Sequence, residues 1–464
     1  MAYEGYRIMT MTAAEIETYV LEYISPSEDD RQRLTATITE LQSRVEQELA
    51  NRKAEASVEL VGSTAKDTFL RTNLDIDLFL VFPPTMNKKD IAEHALAIGR
   101  RLLQDPEECY AEHPYLRGIF NGFKTELVPC FRIEDASQKL SAVDRTPLHT
   151  KYIITHLQQD QRKDVRLLKQ FLMGIGCYGA EAEIEGFSGY LCELLILYYD
   201  TFHDLLNKAS HWQTGIQLTL LDKPMASFDT PLTFIDPVDP ERNVASALST
   251  EKFTLFVEAC QVYLDRPQVT FFFPRKIQPW SLDEINHHMN ALTSTFVGVV
   301  FAKPPIIAEN LYPQVRKALR SVQQAACQYG FSVLDSQYSI DDEHNRVFLL
   351  FKTEDETLPE TYEHMGPPLK KSKHAEDFFQ KWEYHPQVVR GPYKKEDRWY
   401  VELRRTYRTL QEYLKHEVKA LPMGKHLDGI VQQRYEVLEQ DDLLVDELRC
   451  FWTEYFARKK PWEW

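Results

Sequence analysis

The stretch Val58–Pro83, VELVGSTAKDTFLRTNLDIDLFLVFP, decides how the first third of the chain reads. Ser57–Val61 and Leu74–Phe82 are short apolar runs bounded by turn residues, which predicts two strands. On a strand alternate side chains share a face. Ile76, Leu78, Leu80 and Phe82 therefore point one way, and Asp75 and Asp77 the other. Aspartate is disfavoured in strands, and two neighbouring carboxylates repel unless a cation lies between them. A hard divalent ion such as Mg²⁺ resolves this, because it takes oxygen ligands and keeps positions for water and substrate phosphates. The competing reading is a solvated strand face, since an isolated Asp-x-Asp often matches by chance.

Two further features favour chemistry. Gly62-Ser63 ends the preceding strand, where a glycine lets backbone approach a ligand and the serine offers a hydroxyl and an N–H to phosphate oxygens. Glu126 lies on another apolar run, Lys124–Phe131, with a helix predicted between at Lys89–Leu103. Three carboxylates on adjacent strands beside a Gly-Ser turn are what two-metal phosphoryl transfer needs.

Composition bounds the rest. The chain has 464 residues, 43% hydrophobic and 12% aromatic, enough for packed cores. With 54 basic against 70 acidic residues the net charge is −16, so bulk charge cannot coat nucleic acid or membrane, and RNA contact must come from local basic grooves. Seven cysteines without a Cys-x-x-Cys pair read as reduced thiols. The most apolar stretch, Tyr190 to Tyr199, is about half a bilayer span and contains Glu193. With no signal peptide visible at the N-terminus, a cytoplasmic protein with no membrane contact is expected.

Along the chain, Thr12 stands three before Glu15 as a capping box, and two helices fill 11–53, the second from Asp29 to Asn51. Residues 1–150 read as mixed α/β and 151–275 as helical, with helices at Asp164–Met173 and Gly189–Leu206. From 276 onward a strand (Phe296–Ala302), a helix (Tyr312–Tyr329) and two strands (Phe331–Ser339, Arg346–Lys352) suggest a small α/β sandwich. Thr353–Lys373 reads as a boundary loop, followed by helical segments and a strand at Trp399–Leu403. No internal repeat is present.

Gly62-Ser63 followed twelve residues later by Asp75-Ile76-Asp77 resembles the signature of the DNA polymerase β-type nucleotidyltransferase superfamily. More closely, the chain resembles class I, archaeal-type CCA-adding enzymes. The resemblance runs in order through Val58–Pro83, YAEHPY (110–115), ELVPCF (126–131), SAVDRTPLHTKY (141–152), VRLLKQFL (165–172) with YGAE (178–181), GFSGYLCELLI (186–196) and DPVDPERNVA (236–245). It continues more thinly through Asn310–Pro313 and Met365–Pro367. One departure stands out: the family's third carboxylate is typically Asp, and here it is Glu126.

The resemblance implies an α+β multidomain fold. A nucleotidyltransferase head (1–150) with a small mixed sheet leads into a helical neck (151–275) that binds nucleotide and tRNA. An α/β body with a tail module (276–464) also binds tRNA. It implies addition of C, C and A to tRNA from CTP and ATP with Mg²⁺, contacts to the acceptor arm and elbow, and leaves a homodimer open. Alternatives are a poly(A)-type terminal transferase and a catalytically silent RNA-binding protein on the same fold.

Individual roles follow by position. Asp75, Asp77 and Glu126 would hold metal. Ser63, Lys66, Lys169 and Tyr178 would hold the triphosphate, with Thr146 and His149 near the nucleotide. Arg242, supported by Asp239, would face the incoming base, and Glu112 and His113 the growing 3′ end. Read from the residues alone, Lys66 is an ordinary solvated lysine and His149 a hydrogen-bonded structural histidine. Arg162, Arg166 and Lys169 form a solvated helical face, and Arg242–Asp239 a surface pair.

Gly174–Gly179 fits Gly-x-Gly-x-x-Gly but follows a helix, so it reads as a helix C-terminal turn, not a dinucleotide fingerprint. Phe271–Phe273 reads as core before RNA stacking. Arg390, Lys394-Lys395, Arg398, Arg404-Arg405 and Arg408, interleaved with Tyr393, Trp399, Tyr400 and Tyr407, are candidate RNA contacts.

Overall fold

Side-chain caps set the first two helices. Thr12 and Glu15 exchange hydrogen bonds at the start of α1 (Ala13–Ile24), and Ser27 and Asp30 do the same for α2 (Glu28–Asn51). The computed structural model describes residues 11–110, 113–222, 226–354, 357–370 and 372–464. The chain divides into two units, one formed by Met1–Lys276 with Lys459–Trp464, the other by Ile277–Arg458.

In the first unit, β1 (Ser57–Val61) leads through α3 (Gly62–Lys66) to β2 (Ile76–Phe82) and α4 (Lys88–Leu102). β3 (Gln104–Tyr110), β4 (Pro114–Phe120) and β5 (Phe123–Phe131) follow. They form one mixed sheet in the order β1-β2-β5-β4-β3, in which β2 and β5 run parallel and the other neighbours antiparallel. Ile76, Leu78, Leu80 and Phe82 pack with Leu41 and Val45 of α2 and with Ile91, Ala95 and Ile98 of α4, which buries that face. The opposite face carries Asp77, then Phe79 and Val81, packed with Val61, Val128 and Cys130. β2 starts one residue later than the sequence pattern indicates. Asp75 precedes it, and its carbonyl accepts the Thr64 hydroxyl at 2.5 Å. The periodicity missed β3 and β4, because β3 is a charged edge strand containing Asp105-Pro106 and has little apolar alternation to read, and the short apolar run of β4 is broken by Arg117 and Gly118.

The rest of this unit is mainly helical: α5 (Thr146–His156), α6 (Gln161–Gly174), α7 (Gly189–Tyr199), α8 (Phe202–Ala209) and α9 (Thr250–Asp265). A short parallel pair, β6 (Ile216–Thr219) with β7 (Leu232–Ile235), accompanies them. The single helix expected over 189–206 is broken at Asp200, whose φ of 76° ends α7 before Thr201 caps α8. Residues 191–196 are buried on every side, as the continuous apolar run predicts. α6 ends at Gly174, and Gly176 takes a φ of +69°, so the glycine-rich run is a helix terminus. Phe271 and Phe272 are core, with Trp462 stacked on Phe271 at 5.0 Å.

In the second unit, α10 (Leu282–Asn290), β8 (Ser294–Ala302), α11 (Ala308–Tyr329), β9 (Val333–Asp341) and β10 (Arg346–Glu354) come first. β11 (Thr361–Pro368), α12 (Ser372–Trp382), β12 (Val388–Lys395) and β13 (Arg398–Arg404) form the middle. α13 (Leu410–Glu417), α14 (Leu427–Gln433), β14 (Glu436–Leu438) and α15 (Arg449–Ala457) complete it. An antiparallel sheet, β14-β8-β10-β9, has α11, α13 and α14 on one face and α10 and α15 on the other. A smaller sheet, β11-β13-β12, packs Val401 and Leu403 against Phe378 and Trp382 of α12. The boundary loop expected over 353–373 is therefore wrong in part: Thr361–Pro368 pairs with β13. Its prolines lie on an edge strand, where a missing N–H costs nothing. Among the described residues no helix is long and apolar enough to cross a membrane.

Candidate active site

Asp77 and Glu126 are direct partners across the parallel pair β2–β5, so two carboxylates project side by side from one sheet face. Asp75 stands two residues before Asp77. Burial and the charges of Glu126 and Asp75 push the Asp77 carboxyl up to about 7, and burial also raises Asp75. Glu126 is not free to face them. Arg117, its antiparallel partner on β4, donates to Oε1 from Nε at 2.8 Å and approaches it through Nη2 at 2.7 Å. The backbone of the Gly62-Ser63 turn closes on this group: Gly62 has a φ of +72°, and a β-carbon there would collide with Oδ2 of Asp77 and lie 2.9 Å from its Cγ.

Lys66 is not the solvated lysine of the residue-level reading. It is 8% exposed, and its ammonium lies 2.6 Å from Oε2 of Glu193, on α7. Glu193 is fully buried and accepts the Thr68 hydroxyl through Oε1 at 2.6 Å. Lys169, also buried, donates to the Thr68 carbonyl at 2.9 Å and lies 3.8 Å from the Glu193 carboxylate. Burial depresses the Lys169 ammonium while Glu193 supports it. A β-carbon at Gly189 would touch both the Tyr178 hydroxyl and the Lys169 ammonium, which puts these two groups on one side of α7. Arg166 is buried as well, donating to Asp67 at 2.7 Å and to the Phe69 carbonyl at 3.0 Å. The expected solvated face of α6 is thus an interior one. Arg162, the more exposed member, also reaches Asp67 at 3.3 Å.

A second hub surrounds Asp236, which follows β7 and has no exposed surface. Its carboxylate accepts from His149 Nε2 at 2.9 Å, Arg242 Nη1 at 2.9 Å, the Tyr190 hydroxyl at 3.1 Å and the Val238 N–H at 3.0 Å. Burial alone would raise this carboxyl, but the bonds from His149, Val238 and Arg242 outweigh it and hold it at about 2. His149 stacks on Tyr190 with ring centres 4.2 Å apart, and burial lowers its own pKa. Asp239 does not support the Arg242 side chain, as position suggested. It pairs with Lys139 and Arg145, both at 2.8 Å, and Asp236 takes the role instead. Upstream, buried Asp144 accepts from the N–H groups of Phe131 and Leu140 and from Ser141, which ties the end of β5 to the turn before Thr146, the first residue of α5.

Comparison with known proteins places this geometry. A nucleotidyltransferase domain model matches residues 42–149, a tRNA nucleotidyltransferase second-domain model 163–273, and a CCA-adding enzyme C-terminal domain model 293–440. The CCA-adding enzyme of Methanosarcina barkeri is 36% identical over 92% of this chain and 94% of its own. That of Haloarcula marismortui is 34% identical over 94% of this chain and 96% of its own. That of Methanothermobacter thermautotrophicus is 35% identical over 96% and 98%. The chain belongs to the CCA-adding enzyme family.

Within this family's chain plan, sequence reasoning found the residues that stand out by type and overlooked those that hold them. Arg117, Tyr190, Glu193 and Asp236 were not singled out as site residues. A signal existed for one of them, a lone carboxylate in the apolar run 190–199. Glu112 lies outside the described residues, and His113 is buried, edge-on to Phe131 at 5.9 Å.

Of the C-terminal candidates, Arg405 donates to the Tyr329 carbonyl, Arg408 to the Leu358 carbonyl, and Tyr407 to Glu417. On β12 and β13, Arg390 lies over Tyr393, Lys394 over Trp399 and Lys395 over Tyr400, each at 5.2–5.3 Å. Among the described residues, a separate group of Asp341, His344 and Glu447 brings three ligand atoms within 4.8 Å. Asp341 and His344 lie at the β9–β10 turn and Glu447 just before α15, in the other unit from the carboxylates above.

Proposed function

We infer that the chain adds C, C and A to the 3′ end of tRNA from CTP and ATP, without a nucleic-acid template, and releases pyrophosphate. One observation carries the reading. In a chain matching CCA-adding enzymes over nearly its whole length, Asp77 and Glu126 stand in register on adjacent parallel strands, with Gly62 closed against Asp77. The oxygen-only donor set and the mutual repulsion that raises Asp77 fit a divalent cation, and Asp75, Asp77 and Glu126 are the residues that would hold Mg²⁺. When bound, Mg²⁺ supplies charge for the triphosphate and lowers the pKa of the attacking hydroxyl.

The chain's own groups do the rest. Glu126, released from Arg117, accepts the proton of the RNA 3′-hydroxyl. Ser63, Lys66, Lys169 and Tyr178 orient the triphosphate so that the α-phosphate meets that hydroxyl. Asp236 pins Arg242 through one nitrogen, leaving the remainder of the guanidinium to donate to acceptors that cytosine and adenine both present. His149 shares one Asp236 oxygen with Arg242, Tyr190 holds the other oxygen, and Thr146 opens α5 three residues before His149. In this reading the catalytic head is 1–150, the nucleotide-binding neck 151–275, and the tRNA-binding body and tail 276–464. The cation–aromatic rows of β12 and β13 are the tail's contact to the tRNA elbow.

The test is incubation with a tRNA lacking its last three nucleotides, Mg²⁺, and CTP or ATP separately and together. Two additions with CTP alone and a stop at three with both are expected. A long ladder from ATP alone would make the protein a tail polymerase. No addition would support RNA binding without catalysis.

A further inference from the structure

The cluster of Glu193, Lys66, Lys169 and Thr68 carries one ammonium more than its carboxylate can neutralise, and every member is under 9% exposed. Burying two ammonium groups carries a large desolvation cost, and within the cluster one carboxylate faces both; the next anion is Asp77, which feels the charge of Lys66. A purely structural site would be better served by one lysine or none. The surplus is useful only if an anion completes the cluster, and the groups around it point to one. Lys66 ends α3, the short helix that carries Ser63 as its second residue, and the Tyr178 hydroxyl lies beside Lys169 across Gly189.

We propose that Glu193 is a positioning residue for the nucleotide's triphosphate, its buried carboxylate holding Lys66 and Lys169 side by side for the phosphate oxygens; this rests on the nucleotidyltransferase reading above. The bonds show how. Glu193 Oε2 takes Lys66, Oε1 takes the Thr68 hydroxyl, and the Thr68 carbonyl takes Lys169, so one carboxylate on α7 fixes both cations. The same carboxylate works against the burial that lowers the Lys169 pKa. The other groups facing Lys169 are Lys66 from α3, Arg166 on its own helix, Cys192 on α7 and Tyr178. Glu17 of α1 and His203 of α8 lie by Asp164, at the opposite end of α6. Among the charged groups named here, Glu193 is the only anion that faces Lys169.

The experiment measures KM for CTP and ATP, kcat, and tRNA Kd in wild type, Glu193→Gln and Glu193→Asp across about pH 6.5 to 8.5. The amide variant keeps the shape and loses the charge. It should raise KM for both nucleotides by roughly tenfold at the alkaline end, recover toward the acid end as Lys169 regains its proton, and leave tRNA Kd unchanged. The aspartate variant, which keeps the charge, should lie nearer wild type. A pH-independent loss shared equally by the two variants, or an unchanged KM in Glu193→Gln, would overturn the proposal. Should either variant fold poorly by circular dichroism, CTP-induced thermal stabilisation of Thr68→Val decides instead. Loss of the hydroxyl that links Glu193 to the Lys169 arm should lessen the CTP shift, and a full wild-type shift would overturn the proposal. Wild type that adds no nucleotide in the same assay would defeat the underlying reading, which separates the two failures.

Discussion

Gly62 and Asp77 are so close that no side chain fits between them: a β-carbon on Gly62 would overlap the Asp77 carboxylate, and the Gly62 φ of +72° excludes most other residues independently. The backbone turn that carries Ser63 is therefore held directly against the carboxylate pair. This makes Gly62→Ala an active-site substitution. It should lower kcat for CTP incorporation by about 10²-fold or more through displacement of Asp77, while circular dichroism shows the fold retained. Near-normal turnover would show that Asp77 can move without consequence.

The raised Asp77 carboxyl gives metal-free protein an unusual pH dependence. Its folded pKa of about 7 exceeds its ordinary 3.8, so between those values the folded state binds the proton that the unfolded state has lost. Stability then falls as pH rises through that window and levels off above it. Chelator-treated wild type should lose thermal stability from about pH 4 to about pH 7 relative to Asp77→Asn. Mg²⁺ binding, measured by calorimetry, should release protons over the same range. Asp77→Asn should also abolish incorporation while leaving tRNA affinity nearly intact.

Asp236 has the opposite sign. Its carboxyl is held at about 2 in the folded state, so its contribution is present above the ordinary 3.8 and is lost as pH falls from there toward 2. At neutral pH Asp236→Asn should cost about 3–5 kcal/mol in denaturant unfolding, because it strips a buried acceptor from His149 and Arg242. Arg242→Ala removes one of the donors that compensate the buried Asp236 carboxylate and should cost about 1.5–3 kcal/mol of stability. It should raise KM for both CTP and ATP, by roughly tenfold. A change confined to one nucleotide would mean that Arg242 does not face features common to both bases.

Arg117 competes for Glu126 with any cation bound there. Both side chains of the pair are partly exposed, which limits the interaction to about 1 kcal/mol. Arg117→Met should therefore tighten Mg²⁺ binding by up to about fivefold in a calorimetric titration. Weaker Mg²⁺ binding in that variant would show that Arg117 orients Glu126 for the metal and does not compete with it.

Local pattern carried much of this protein. Alternation in Val58–Pro83 marked the strands and the face on which Asp77 stands, Thr12 and Glu15 marked a helix start, and the helical terminus at Gly174–Gly179 was readable from the elements around it. These features depend on residues within a turn or two of one another, and that is the distance over which period and capping act. β3 was not legible, because an edge strand with charges and a proline has no period to detect, nor was β4, whose short apolar run is broken by Arg117 and Gly118.

What the tertiary structure alone decided is which side chain holds which. Residue type marked Lys66 and Lys169 as cations, but only folding brought Glu193, 127 positions from Lys66, into the space beside them. Asp239 was nearer to Arg242 in the chain, yet Asp236 took its guanidinium, because Lys139 and Arg145 had arrived from another segment to occupy Asp239. Glu126 read as the third carboxylate of the set, distinguished only by its extra methylene, until register placed Arg117 across from it. Buried charge must find a partner within a few ångströms, and which partner it finds depends on packing between elements far apart in sequence. The sequence thus determined the chemical groups and the local elements that bear them, and the packing of distant elements decided their pairing.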